Sequence, residues 1–183
     1  MKLLANASVA AFLGAFFAFI LVALNDWRRR KRSKRQIRYL ISDSADHARA
    51  KLRTVENFLE MLKENKCVPA PIMKFPLDAL RQKQLEVIDL LNANEQQALT
   101  GLLYWMEGID GLLEDYLQTG KALRRAVESN ADNATRTQLA KHMMDNLDDA
   151  KRNLEYLINM CEWYVTGRAH KILEMQHPIP SGD

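Results

Sequence analysis

An uncharged apolar run near the N-terminus limits what this chain can fold into. Between Leu3 and Asn25 there is no charged side chain, and the polar residues are Asn6, Ser8 and Asn25. A helix over these residues is about 33 Å long at about 1.5 Å per residue, enough to cross a hydrocarbon layer of about 30 Å. We therefore predict a single transmembrane anchor over residues 1–26.

Two other interpretations of the run are weaker. A buried core helix is rarely so long and so uniformly apolar. A cleaved signal peptide needs small residues at both recognition positions, but the cleavage site after Ala23 has Leu21 two positions earlier. Cleavage would also require the cationic stretch that follows to cross the membrane, so we predict that the anchor is retained.

Residues 27–38 form a basic belt directly after the run. Eight Lys and Arg and no acidic residue lie between Arg28 and Arg38, whereas only Lys2 precedes the run. The positive-inside rule then leaves the N-terminus outside and the C-terminal part in the cytoplasm, as at a bacterial inner membrane, with Trp27 at headgroup depth. Seven cations are predicted to bind the membrane surface: Arg28, Arg29, Arg30, Lys31, Arg32, Lys34 and Arg35.

The charge of the remaining chain has the opposite sign. The 183 residues carry a net charge of +3, but from Tyr39 to the end there are 17 Lys and Arg against 22 Asp and Glu. A nucleic-acid partner is not favoured, because the cations are confined to the belt and aromatic residues hardly interrupt them. Two cysteines, Cys67 and Cys161, are too few for a disulfide framework and fit a reducing compartment.

Small residues recur at four-residue spacing within the apolar run. Such rows let two helices approach closely in lipid, which predicts a homo-oligomer, although chance composition is an open alternative. The predicted contact residues form two rows: Ala7, Ala11 and Ala15, and Ala10, Gly14 and Ala18.

Apolar residues beyond the belt recur in steps of three and four. The longest such seams run from Ile41 to Leu62, from Leu99 to Val127 and from Ala140 to Tyr164. This spacing is typical of helices that pack against partners. We predict an all-α fold, in which the anchor is followed by an antiparallel bundle of about four helices, three long and one short, over residues 39–175.

Local signals predict where the helices begin and end. A short helix is expected from Leu77 to about Leu91, after a proline-containing stretch. Asn94 with Gln97, and Thr135 with Gln138, have the spacing of capping boxes at helix starts. Nothing between the run and Tyr39 breaks a helix, so the anchor and the first bundle helix are predicted to be continuous. Residues 176–183, with two prolines and a glycine, are predicted to be a disordered tail.

The sequence contains no convincing metal or cofactor site, and we predict none. Di-iron bundles need a Glu-x-x-His pair on each of two helices, whereas this chain has one, Glu174 with His177. His142 with Asp145, and His170 with Glu174, share helix faces, but such a pair supplies too few ligands. The aromatic and methionine residues of the last two seams are predicted to pack in the core rather than to line a pocket.

One short motif points to an enzyme. Arg136 and His142 resemble the Arg-x(4–6)-His motif of the HEPN ribonucleases, which are also helical bundles. The resemblance implies that Arg and His from two chains hold the scissile phosphate and act as acid and base on the ribose hydroxyl. It covers seven residues, and it departs from the family pattern because Thr137 follows Arg136.

These observations favour one function over two alternatives. The favoured hypothesis is a non-enzymatic single-pass membrane protein whose cytoplasmic bundle recruits or scaffolds a protein partner at the inner membrane face, as an oligomer. The first alternative is an effector that perturbs the membrane when its cytoplasmic domain is triggered. The second is a HEPN-like, metal-independent ribonuclease that uses Arg136 and His142.

Overall fold

The computed structural model describes the backbone of residues 2–64, 66 and 70–176, and the side chains of 12–64, 66 and 70–175. This part of the chain is all-α, as predicted. It contains five α-helices: α1 (Lys2–Lys63), α2 (Leu77–Val87), α3 (Ala93–Glu128), α4 (Asn133–Val165) and α5 (Ala169–Gln176). A 3-10 turn, Ile88–Leu90, follows α2.

Helix α1 is one continuous helix of 62 residues. It passes without a break through the apolar run and the basic belt into the bundle, so the predicted continuity is confirmed. At about 1.5 Å per residue its length is about 93 Å. The belt is therefore a segment of a stiff helix, and its side chains point to defined sides of it.

Across the side chains that the structure describes, from residue 12 onward, no helix has a stretch both long enough and apolar enough to cross a membrane. The predicted transmembrane anchor over residues 1–26 is not supported by this finding.

Helices α1 to α4 form an up-down-up-down bundle. Contacts between helices show their relative directions: in an antiparallel pair, the contacting residues follow one another in opposite order along the two helices. These contacts are Arg49 with Glu162 and Glu56 with Lys151 for α1 and α4, and Arg81 with Glu107 and Gln84 with Thr100 for α2 and α3. Lys34 with Glu95 and Lys51 with Asp110 are paired in the same order along α1 and α3, so these two helices are parallel. Sequential helices are therefore antiparallel, as predicted.

The core lies where the predicted seams meet. Most seam residues are buried, and so are Met106, Met143 and Met160, as expected for packing rather than ligand binding. Two positions differ from the prediction. Ile37, inside the basic belt, is only 1% exposed, so the bundle begins within the belt. Val127, at the end of its seam and one residue before the end of α3, is exposed.

The start of α3 lies two residues earlier than the predicted capping box. The Asn92 side chain accepts a hydrogen bond from the Glu95 backbone N–H at 2.8 Å, and the Glu95 carboxylate accepts one from the Asn92 N–H at 3.1 Å. The prediction that Asn94 and Gln97 form the box is therefore wrong. Glutamate is the stronger partner here, since its charge also favours the positive end of the helix dipole.

The start of α4 was also misplaced by the sequence pattern. Asp132 is the N-cap, and its carboxylate accepts a hydrogen bond from the Thr135 N–H at 2.8 Å. Thr135 therefore lies inside the helix and is not the cap of a box with Gln138. The preceding turn is closed by Asn130, whose φ of 53° is the left-handed conformation common after a helix C-terminus.

The bundle has a fifth helix that the sequence pattern did not predict. Gly167 follows the C-cap of α4, Thr166, and has a φ of +78°; the next N–H, that of Arg168, donates a hydrogen bond to the Trp163 carbonyl at 2.7 Å. This Schellman motif reverses the chain, and α5 packs against α3 and α4. Gln176, the first residue of the predicted tail, ends α5, and residues 177–183 lie outside the described part.

Candidate functional site

Six of the seven predicted membrane-binding cations are exposed, and the structure describes all six without an ion pair. They are Arg28, Arg29, Arg30, Lys31, Arg32 and Arg35. The Lys31 ammonium lies 5.1 Å from the centre of the Trp27 ring, a cation–π contact at the boundary of the apolar run. These side chains are therefore open to an anionic surface or partner.

Lys34 differs from the other belt cations because it has an acidic partner inside the chain. Its ammonium donates a hydrogen bond to Glu95 Oε2 at 2.8 Å, and the Arg38 guanidinium lies 3.8 Å from Glu95 Oε1. This ion pair joins the belt to the N-terminus of α3. Lys34 is half-buried, so the structure gives it a role in bundle assembly that the sequence did not predict.

Glu95 is the centre of this contact. Burial of its carboxyl group disfavours the charge, but hydrogen bonds from Lys34 and from the Asn92 N–H, with the charge of Arg38, outweigh burial and lower the pKa of Glu95. One carboxylate thus caps α3 and neutralises two cations of α1. The Asn92 and Glu95 spacing was the sequence signal for the cap, but no local signal shows that Lys34 would reach it.

Tyr164 completes what we call the Glu95 cluster, which consists of Lys34, Arg38, Glu95 and Tyr164. Tyr164 is buried, and its hydroxyl makes no hydrogen bond with the described residues. Burial, and then the negative charge of Glu95, raise the pKa of Tyr164. The phenol is therefore neutral at physiological pH, and the ion pairs of the cluster tie α1 to α3 at the end of the bundle nearest the apolar run.

An open groove lies between α1 and α2 beside the belt. Its volume is about 480 Å³, and we call it the α1–α2 groove. The Lys83 ammonium at its edge is held by Glu86 at 2.7 Å, whereas Arg35 makes no ion pair with any described residue. The lining residues are Arg35, Gln36, Tyr39, Leu40 and Lys83.

A second cavity, of about 260 Å³, lies between an earlier part of α1 and the residues from the end of α2 to the 3-10 turn. In its lining, Arg29 and Arg30 of the belt lie beside Glu86 of α2 and Asp89 of the 3-10 turn. Arg29 and Arg30 therefore face acidic groups of the bundle, whereas Arg28, Arg32 and Arg35 make no ion pair with an acidic group in the part of the chain that the structure describes.

The small residues of the apolar run are only partly described. Ala7, Ala10 and Ala11 lie outside the side chains that the structure describes. Gly14, Ala15 and Ala18 are exposed, and a Cβ built on Gly14 meets no atom within 4 Å. The surface is thus open at these three positions, and contact with a second helix there stays a prediction.

A buried ion pair lies deeper in the bundle. The Lys51 ammonium donates to Asp110 Oδ1 at 2.7 Å and also to the Met73 carbonyl, and Asp110 Oδ2 accepts from the Phe75 N–H at 2.8 Å. Burial lowers the pKa of Lys51, and the hydrogen bond and charge of Asp110 act against that shift. The pair fastens residues 70–76 onto α1 and α3.

The predicted ribonuclease residues are not brought together within one chain. Arg136 is half-buried, and its Nε donates to the Ala131 carbonyl at 2.8 Å, while His142 is exposed. Six residues of helix separate them by about 9 Å along the axis and by about 240° around it. They point to different sides of α4, and a joint site would need a second chain.

Metal-binding groups do not cluster in the described part of the chain. No three His, Cys, Asp or Glu side chains there are placed to hold a metal ion. His142 with Asp145, and His170 with Glu174, are exposed pairs on helix surfaces. His177 lies outside the described residues.

The chain matches no protein-family model, and no curated protein or solved structure is significantly similar to it. No activity is therefore transferred from a relative, and the belt, the Glu95 cluster and the α1–α2 groove are the features on which a function can be proposed.

Proposed function

We propose that the protein is a non-enzymatic, single-pass membrane protein whose helical bundle holds a protein partner at the inner face of the membrane. The apolar run is its anchor, and the cations at the start of the basic belt contact lipid headgroups on the cytoplasmic side. The proposal includes self-association of the anchors through their small residues.

The exposed apolar side chains of α1 are the observation that carries this proposal. From Phe12 to Leu24 nearly all aromatic and aliphatic side chains of the helix are exposed to solvent; Phe12 is 71% and Phe19 is 72% exposed. Proteins in water rarely leave so large a contiguous apolar surface uncovered. Insertion into lipid would cover it, and the adjacent cations would then lie against anionic headgroups, each contributing about 1 kcal/mol.

The rigid connection supports a recruiting role. Because α1 is continuous and the Glu95 cluster fastens it to α3, the bundle would be held at a fixed height and orientation above the membrane. This arrangement suits a scaffold, because a partner bound to the bundle would be held at a defined distance from the membrane and in a defined orientation.

Alkaline carbonate extraction of membranes from cells that make the full chain tests the anchor. We expect the protein to stay in the membrane pellet. The double variant Phe16→Arg and Phe19→Arg should be extracted at least ten-fold more, because each arginine at the centre of a span costs about 2.5–3.5 kcal/mol.

The matched control for this experiment is the double variant Tyr104→Arg and Tyr156→Arg. Both tyrosines are exposed aromatic residues of the bundle, like the two phenylalanines of α1. This variant should stay in the pellet as the unmodified chain does. Extraction of the unmodified chain by carbonate would contradict the proposal.

A further inference from the structure

The cationic face of α1 extends further from the apolar run than the thickness of a lipid headgroup layer. Arg35 and Tyr39 follow Asn25 by ten and fourteen residues, which is about 15 Å and 21 Å along the helix. The headgroup layer on each side of a bilayer is about 5–8 Å thick. A tilt of about 20° shortens these heights by less than a tenth. If the run is in lipid, both side chains lie beyond the headgroups.

The cations in the last part of the basic belt, from Lys34 to Arg38, have different surroundings. Lys34 and Arg38 are turned toward Glu95 of the bundle. Arg35 is turned away, is exposed, and makes no ion pair with the described residues. With the run in lipid, it therefore has neither a headgroup nor a carboxylate of the described residues to neutralise it.

Arg35 borders the α1–α2 groove, whose floor is apolar. Tyr39 stands at the rim and is 72% exposed, while Leu40 is half-buried at the base. The volume of about 480 Å³ has room for a large apolar side chain with its neighbours. Arg28 and Arg32 share the face of Arg35, since they lie seven and three residues before it on the same helix.

We propose that the α1–α2 groove is the partner-docking surface of the protein, and that it takes an acidic amphipathic segment of another protein. An apolar side chain of that segment fills the groove over Leu40 and beside Tyr39. Carboxylates one helical turn away pair with Arg35 and Arg32. This inference rests on the proposed function, because the height of the groove above the lipid depends on the anchor.

Charge complementarity selects this partner over others. The belt carries cations and no acidic residue between Arg28 and Arg38. Its charge therefore raises the association rate of an acidic segment and disfavours binding of basic ones. The α1 helix of a second copy in the same membrane is a poorer fit, since at this height it presents its own belt, which offers cations and no carboxylate to pair with Arg35.

Photo-crosslinking of the full chain in the cells that naturally make it tests the proposal. Tyr39 is replaced by p-benzoylphenylalanine, and the adduct is isolated from carbonate-washed membranes and sequenced at the crosslink. The matched probe is the same replacement at Tyr104, which is 76% exposed on another face of the bundle. We expect an adduct from position 39 whose crosslinked segment has net negative charge, and no such adduct from position 104.

Arg35→Glu should lower the yield of this adduct at least ten-fold. Arg53→Glu is its control, because Arg53 is an exposed arginine on the same face of α1, eighteen residues or five helical turns further on. That variant should leave the yield unchanged. An adduct with lipid, with a second copy or with a segment that is not acidic would overturn the proposal, as would the absence of an adduct or one that Arg35→Glu leaves intact.

Cell fractionation distinguishes a failure of the proposed anchor from a failure of the proposed docking surface. A chain found in the soluble fraction overturns the anchor and this inference together. A chain retained in washed membranes without the expected adduct overturns the docking surface alone.

Discussion

The ammonium of Lys51 lies 2.7 Å from Oδ1 of Asp110, and both side chains are buried between α1 and α3. Asp110 also accepts from the Phe75 N–H, and Lys51 lies 4.4 Å from the centre of the Phe75 ring. One ion pair therefore joins two parallel helices that are not sequence neighbours and fixes the chain segment that leads into α2.

Asp110→Ala should lower the free energy of unfolding by about 3–5 kcal/mol, because it leaves the Lys51 charge and the Phe75 N–H buried without their acceptor. Asp110→Asn should cost less, since its carbonyl oxygen can still accept from Phe75. Urea unfolding of the full chain in detergent, followed by tryptophan fluorescence, measures both changes. A loss below 1 kcal/mol for Asp110→Ala would show that the pair does not hold the bundle.

Glu95 makes the stability of the bundle depend on pH. Its pKa is lowered in the folded chain, so the unfolded chain binds the proton more readily and the contribution of Glu95 is lost as pH falls through the folded value. At neutral pH, Glu95→Gln should cost about 1–2 kcal/mol through loss of the charged cap and of the Lys34 ion pair.

The pH dependence distinguishes this role from simple packing. The difference between the unmodified chain and Glu95→Gln should be constant between about pH 6 and 8 and shrink below about pH 4.5, near the ordinary pKa of glutamate. Glu60→Gln, at an exposed position of α1, should show no such difference. A cost for Glu95→Gln that stays unchanged at pH 3.5 would exclude an electrostatic role.

Replacing Gly167 or Gly108 by alanine should change the stability of the protein in opposite directions. Gly167 has a φ of +78° at the turn between α4 and α5, so Gly167→Ala should destabilise by about 1 kcal/mol through backbone strain. Gly108 lies inside α3, and a Cβ there meets no atom within 4 Å. Gly108→Ala should therefore stabilise by about 0.5–1 kcal/mol. Thermal unfolding measures both, and equal shifts would contradict the structure.

Cys161 should be inert in the folded protein. Burial raises the pKa of its thiol to about 12, so at pH 8 the reactive thiolate is on the order of 1,000-fold rarer than for a free cysteine. In a Cys67→Ser chain, we expect alkylation of Cys161 by iodoacetamide to require unfolding. Rapid alkylation under native conditions would mean that α4 does not pack as described.

Much of the fold followed from residue spacing, and the differences have local causes. The seams from Ile41 and Leu99 predicted which faces of α1 and α3 are buried, because three- and four-residue steps are a property of the helix itself. Helix α5 was missed because its eight residues bury only Ala169 and Ile172 among the described side chains, too few positions to form a recognisable seam. The caps were misplaced because several polar residues had suitable spacing, and the tertiary contact of Lys34 with Glu95 favours one of them.

The candidate site was harder to predict than the fold. The belt cations were visible in the sequence as a group, but their division into Lys34, which pairs inside the bundle, and Arg35, which faces outward, depends on how α3 packs against α1. The α1–α2 groove has no sequence signature, since Tyr39 and Lys83 come from helices 44 residues apart in the chain.

Protease protection in sealed vesicles tests the central claim most directly, namely that the bundle stands on the cytoplasmic side of a membrane that holds the apolar run. The full chain is embedded in right-side-out and in inverted vesicles, and trypsin is added to each. We predict that the bundle is protected in right-side-out vesicles and digested in inverted ones, while a fragment containing the run resists in both. Digestion of the bundle in right-side-out vesicles, or loss of the run in either kind, would contradict the account.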